Sequence, residues 1–243
     1  MRTWILIIIG AGFLIFGALS ILYFSGRWIP NYPNQTQYPV RGIDISRHQG
    51  HVDWKKVSAS GIRFVYLKAT EGGDFQDAFF KENLEAAHDA GLACGAYHFF
   101  SLKAPGIVQA KNFISTVPSA QMTLPPAIDL EFWGNSSARP SSESLQLELR
   151  AYLDAIRNAY GSEPVIYTSA DFSDVYLKDF QAKQLWVRDV LCCPNWDGTN
   201  RWLFWQFSEK GTVPGVNGFV DMDVFNGSAD HFNALQRNSA IPR

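Results

Sequence analysis

The sequence of 243 residues is 47% hydrophobic, 18% charged and 14% aromatic, which excludes intrinsic disorder. Its 21 basic and 23 acidic residues give a formal net charge of −2 without any long basic run, so nucleic acid is not expected as a partner. Cys94, Cys192 and Cys193 are too few for a disulfide framework and lack the spacing of a metal site, and we expect neither a metal nor another cofactor.

The chain begins with an uncharged apolar run at residues 4–24, which is long enough to cross a bilayer as one helix. A cleaved signal peptide is the alternative, because Arg2 provides a basic start and Ala18 and Ser20 fit a small-x-small cleavage site. The apolar run continues past that site, which favours an uncleaved segment. We therefore predict a transmembrane anchor over residues 1–24.

The next segment, residues 25–40, lacks hydrophobic periodicity and contains three prolines. These features are typical of an extended linker. The remaining residues, 41–243, are enough to bury the core of one folded domain.

Within this domain, short apolar runs alternate with segments of helical period, the pattern of β-α units around a mostly parallel sheet. The eight candidate strands are residues 41–46, 63–69, 93–100, 125–132, 164–169, 184–190, 201–208 and 219–225. The candidate helices are residues 53–60, 79–90, 105–116 and 142–160. Short connections between the last three strands predict an antiparallel or irregular end. The predicted fold is α/β, a modified β/α barrel of about eight strands preceded by one transmembrane helix.

Acidic residues interrupt several strands near their carboxyl ends, where β/α barrels carry their active sites. Asp129 and Glu131 are two residues apart, so on a strand they share one face. Their mutual repulsion raises the pKa of one carboxyl, which leaves one proton donor and one carboxylate. Glycoside hydrolysis requires this combination. Asp-x-Glu is a common tripeptide, and two solvated acids at a strand end are the alternative.

Several motifs occur in a specific order along the chain. They are RGIDISRHQGHVDW, YLKATEGGDFQDAFFKENLEAAHDAGLACGAYHFF, PPAIDLE, LFWQFS and GFVDMDVFNG. In this order they resemble the glycoside hydrolase family 25 lysozymes, the Chalaropsis-type N-acetylmuramidases, from about Val40 to Asn233. The resemblance implies a flattened β/α barrel with an acidic groove. It also implies hydrolysis of the β-1,4 bond between N-acetylmuramic acid and N-acetylglucosamine in the glycan strands of peptidoglycan.

The same resemblance implies roles for the acids. Glu131 would be the general acid, and Asp129 would stabilise the substrate's acetamido nucleophile or the oxocarbenium. Asp44 and Asp221 would be the other two acids, with Asp223 as the alternative to Asp221. Attack by the substrate's own acetamido group predicts retention of the anomeric configuration.

Substrate contacts are predicted from aromatic and polar residues in or near strand ends that match family motifs. The candidates are Tyr66, Lys68, Glu71, Tyr97, Tyr167, Trp186, Trp205 and Gln206. Packing in the core is the alternative for each aromatic residue, and an ion pair is the alternative for Lys68 and Glu71.

The leading functional prediction is a monomeric, membrane-tethered muramidase that catabolises or remodels the cell wall. Its substrate requires the catalytic domain to face the periplasm or the cell exterior, and secretion after cleavage is the alternative. A chitinase-like glycosidase and a catalytically silent glycan-binding tether are the two competing functions.

Overall fold

A computed structural model of the chain describes residues 2–194 and 202–239. Met1, residues 195–201 and residues 240–243 lie outside this range. They include Arg201, the predicted first residue of one strand. They also include Met1 and Arg243, the predicted first residue of the anchor and last residue of the catalytic domain.

Eight strands form a closed barrel around a packed interior, which confirms the predicted barrel and each of its strands. They are β1 (Arg41–Ile45), β2 (Phe64–Glu71), β4 (Ala93–Phe99), β5 (Ala127–Leu130), β6 (Val165–Ser169), β7 (Leu185–Arg188), β8 (Trp202–Gly211) and β9 (Val220–Phe225). The barrel closes because β1 pairs with both β2 and β9. A two-residue strand that the sequence did not predict, β3 (Phe75–Gln76), pairs with the end of β2.

The barrel is mixed. Strand β9 runs antiparallel to both of its neighbours, whereas all other pairs of adjacent barrel strands are parallel. The prediction of an antiparallel end is therefore correct for β9 but wrong for β7 and β8. The chain between these two strands, residues 189–201, has about the dozen residues that a parallel crossover needs.

Helices surround the barrel. They are α2 (Trp54–Ala59), α3 (Phe80–Asp89), α4 (Gly106–Thr116), α5 (Ser142–Tyr160), the short α6 (Ala170–Phe172) and α7 (Ala229–Ser239). Local chemistry explains the ends of α5: the Ser141 side chain accepts a hydrogen bond from the backbone N–H of Ser144, and Gly161 adopts a left-handed conformation with φ of 64°. The four predicted helices of the domain, α2 to α5, are confirmed.

The alternation of side chains along each strand separates two apolar regions. On β2, Val65 belongs to the apolar cluster between barrel and helices, whereas Phe64 and Tyr66 belong to the aromatic cluster inside the barrel. This inner packing is tight, because a Cβ added to Gly95 would lie 2.3 Å from the ring of Tyr66. The barrel interior is therefore filled by side chains, as in other β/α barrels.

The segment predicted as an anchor forms a helix, α1 (Arg2–Phe24). Its last turn contacts the barrel domain, because Lys210 Nζ lies 4.2 Å from the centroid of the Phe24 ring. Among the residues that the structure describes together with their side chains, no helix combines the length and the apolar character that a membrane crossing requires. The predicted transmembrane anchor is therefore not shown by the structure.

Candidate active site

A small cavity of about 80 Å³ is lined by one residue from each of seven barrel strands and by Glu131, which follows β5 directly. The lining residues are Asp44, Tyr97, Asp129, Glu131, Tyr167, Trp186, Gln206 and Asp221. They comprise the four predicted catalytic acids and four of the eight predicted substrate contacts. The structure thus brings most of the predicted site residues together.

Strand register explains this convergence. Asp44 on β1 is paired with Asp221 on β9, and Asp129 on β5 is paired with Tyr167 on β6. Glu131 follows β5 directly and lines the same cavity as Asp129, as the two-residue spacing predicts. Three separate segments of the sequence, at β1, β5 and β9, therefore supply the four acids of one site.

Hydrogen bonds hold the cavity wall in place. The Tyr167 hydroxyl donates to Gln206 Oε1 at 3.0 Å, and Gln206 Nε2 donates to Asp44 Oδ2 at 2.8 Å. By contrast, Asp129 Oδ1 is buried and has no hydrogen-bond partner within the described residues. A buried acceptor without a donor is costly, so this oxygen is available to a donor from a bound ligand.

Asp223 lies behind this wall. It is fully buried and accepts a 2.8 Å hydrogen bond from Trp186 Nε1, while its second oxygen, Oδ2, is buried without a hydrogen-bond partner among the described residues. The negative charge of Asp223 also disfavours ionisation of the nearby Asp44. Burial raises the pKa of both groups well above the ordinary value. Of the two alternatives from the sequence, Asp221 lines the cavity and Asp223 does not.

The electrostatics of the central pair suit acid catalysis. Burial is the main cause that raises the pKa of Glu131 to about 7, while the positive charge of Arg188 opposes this rise. Burial and the neighbouring Glu131 also raise the pKa of Asp129 well above its ordinary value. Because both carboxyls are disfavoured as anions, the pair retains a proton near neutral pH.

Two basic residues carry positive charges that lower the pKa of these acids: Lys68 acts on Asp129 and Glu131, and Arg188 acts on Glu131. Each of them also forms an ion pair with another acid. Lys68 Nζ contacts Glu71 Oε2 at 2.8 Å, which is the alternative that the sequence left open for both residues. Arg188, at the end of β7, pairs with Glu209 on β8. Arg188 was not predicted as a site residue. Its position, two residues after Trp186 in an otherwise apolar strand, could have indicated a role in the site.

Two aromatic residues among the predicted substrate contacts do not line the cavity. Tyr66 is fully buried inside the barrel and its hydroxyl donates to the backbone carbonyl of Pro125 at 3.1 Å. Trp205 is fully buried among the residues between barrel and helices, and its Nε1 donates to the carbonyl of Asp189 at 2.8 Å. The structure gives both residues a role in core packing, the alternative that the sequence left open.

Comparisons with known proteins agree with this architecture. Residues 43–216 match the model of glycosyl hydrolases family 25. The chain is 33% identical to lysozyme M1 of Streptomyces globisporus over 83% of this chain and 72% of that protein. It is 37% identical to YegX of Escherichia coli K12 over 82% of this chain and 74% of that protein.

A solved structure is similar as well. The family 25 glycosyl hydrolase from Bacillus anthracis superposes with a TM-score of 0.79 at 32% identity, covering 84% of this chain and 96% of that one. The sequence match, the barrel and the acidic cavity at the ends of its strands lead to one assignment. The chain belongs to glycosyl hydrolase family 25 and is a glycoside hydrolase of the lysozyme type.

Proposed function

We propose that this enzyme hydrolyses the β-1,4 bond between N-acetylmuramic acid and N-acetylglucosamine in peptidoglycan. The observation that carries the proposal is the pair Asp129 and Glu131, which lie in one cavity with Asp44 and Asp221. Relatives named lysozyme and N,O-diacetylmuramidase support the same substrate. Peptidoglycan lies outside the cytoplasmic membrane, so the domain acts there, in catabolism or remodelling of the cell wall.

Glu131 is the general acid of the proposed reaction. A pKa of about 7 keeps a large fraction of this carboxyl protonated near neutral pH, where an ordinary glutamate would be ionised. Protonated Glu131 donates its proton to the glycosidic oxygen as the bond to the anomeric carbon breaks. The departing sugar then leaves with a hydroxyl group.

Asp129 acts on the acetamido group of the muramic acid. Its unpartnered Oδ1 accepts the acetamido N–H, which favours the ionised form of Asp129 and leaves the proton of the pair on Glu131. The acetamido oxygen attacks the anomeric carbon and forms an oxazolinium ion that the Asp129 carboxylate stabilises. Ionised Glu131 then takes a proton from water, which attacks the same carbon and restores the acetamido group with retained configuration.

The test is mass spectrometry of the soluble fragments that the full chain releases from purified peptidoglycan, with Glu131→Gln in parallel. Fragments with a reducing N-acetylmuramic acid end, absent with the variant, are expected. Reducing N-acetylglucosamine ends would refute the bond specificity. Cleavage of chitin oligomers, supplied as a second substrate, without action on peptidoglycan would favour a chitinase-like enzyme. Retained binding without release of fragments would favour a silent tether.

A further inference from the structure

The turn after the catalytic strand carries a large aromatic side chain that the catalytic proposal does not use. Trp133 follows Glu131 by two residues, and 85% of its surface is exposed. Tryptophan is usually well buried, because its large apolar surface is unfavourable in water. A tryptophan held this far into solvent, two residues after an acid that lines the cavity, is a candidate contact for the part of a ligand that extends out of that cavity.

The turn itself is firmly held. The Asn135 side chain donates to the backbone carbonyls of Phe100 at 2.7 Å and Glu131 at 3.3 Å, and accepts a hydrogen bond from the N–H of Leu102 at 3.1 Å. Within the turn, the N–H of Asn135 donates to the carbonyl of Phe132 at 3.1 Å. Asn135 thus fixes the turn after β5 to the loop after β4.

The residues on either side of Trp133 explain why its side chain stays exposed. Phe132 packs inward against the ring of Phe172, with a centroid distance of 4.9 Å. Gly134 has a φ of 74°, a conformation that glycine adopts without strain. The neighbours fix the backbone, so the exposed position of Trp133 is built into the fold and needs no rearrangement before a ligand binds.

We propose that Trp133 is a sugar-binding platform at the rim of the active site, on which a pyranose ring of the glycan strand stacks outside the cleavage position. The apolar face of a pyranose ring matches the flat indole, and the sugar hydroxyls remain in water at the edge. The occupant is the glycan strand because the turn continues directly from Glu131, which lines the cavity. This inference rests on the proposed function.

Its first consequence is a dependence on glycan length. A short fragment that fills only the cavity does not reach the platform, whereas a longer strand covers the indole. Covering one face of an aromatic side chain is expected to strengthen binding of long strands by about five- to tenfold. Trp133→Ala should therefore raise KM on long strands while the loss on the shortest cleaved fragments stays small.

The experiment measures binding separately from catalysis. Dissociation constants of Glu131→Gln and of Glu131→Gln with Trp133→Ala are measured for peptide-free glycan fragments from disaccharide to octasaccharide. The affinity difference between the two proteins should grow with fragment length to about five- to tenfold. Trp133→Phe, which keeps a flat ring, should restore most of it. Trp4→Ala, which removes a tryptophan that is 70% exposed on α1, is the matched control and should have no effect.

Equal affinities at every length would overturn the platform, as would a loss that is the same for all lengths. Failure of the proposed function is distinguishable, because it appears as an absence of released fragments from the parent enzyme. Circular dichroism of each variant confirms that the fold is unchanged, as expected for the substitution of an exposed side chain.

Discussion

Replacing Asp223 with asparagine tests whether this buried carboxyl group keeps a proton in the folded protein. Both Asp44 and Asp223 are buried, and burial raises the pKa of each carboxyl well above its ordinary value. In the unfolded chain both groups are ionised above about pH 5. The folded protein therefore binds more protons than the unfolded chain in the pH range between the unfolded and the folded pKa of these groups.

This difference in bound protons determines how the free energy of unfolding changes with pH. The contribution of a raised carboxyl pKa to stability is complete below the unfolded pKa and is lost as pH rises toward the folded pKa. One extra bound proton lowers the free energy of unfolding by about 1.4 kcal/mol per pH unit in this window. Asp223→Asn removes one of the two titratable groups and also the negative charge that helps to raise the pKa of Asp44. In this window the free energy of unfolding of the variant should therefore fall less steeply with pH than that of the parent protein, by about 1.4 kcal/mol per pH unit.

Urea unfolding followed by circular dichroism at several pH values measures this difference in pH dependence directly. Asp174→Asn is a suitable control, because it makes the same substitution at an exposed position. Its free energy of unfolding should follow that of the parent protein at every pH. Parallel curves for Asp223→Asn and the parent protein would show that Asp223 holds no extra proton in the folded protein.

Three further results follow from the site. The specificity constant kcat/KM should fall about tenfold per pH unit above about pH 7. Glu131 has a pKa of about 7 and must be protonated to act as the general acid. Arg188→Gln should move this alkaline limb to higher pH, since the guanidinium lowers the pKa of Glu131; a pH–rate profile that stays in place would contradict this role. Trp186→Phe removes the hydrogen bond to buried Asp223 and should lower the free energy of unfolding in urea by about 1–3 kcal/mol, and an unchanged value would argue against that hydrogen bond.

The barrel was predictable because its strands are buried on both faces and form short, continuous apolar runs. The two-residue spacing of Asp129 and Glu131 was equally informative, because the side-chain alternation of a strand places both in one cavity. The sequence also narrowed the acids of the last strand to Asp221 and Asp223. Which of the two lines the cavity depends on the register of β9 against its neighbours β1 and β8. Strand β1 lies far away along the chain, so this register is not visible in the local sequence.

Other features depend on tertiary structure alone. Tyr66 and Trp205 resemble sugar-binding aromatics in the sequence, yet one fills the barrel interior and the other packs beneath the helices. Exposure of Trp133 arises because Phe132 packs inward and Asn135 fixes the turn. The effect of the Asp223 charge on the pKa of Asp44 requires the barrel to close between β1 and β9. None of these contacts is visible in local sequence patterns.

The central claim is that Glu131 protonates the leaving group while Asp129 stabilises the acetamido nucleophile. The most direct measurement compares Glu131→Gln and Asp129→Asn on peptidoglycan and on an aryl β-glycoside whose phenolate leaves without protonation. We predict that Glu131→Gln loses activity on peptidoglycan but forms the intermediate from the aryl substrate at nearly the parent rate, whereas Asp129→Asn is impaired on both. Equal loss on both substrates by Glu131→Gln would contradict its role as the general acid.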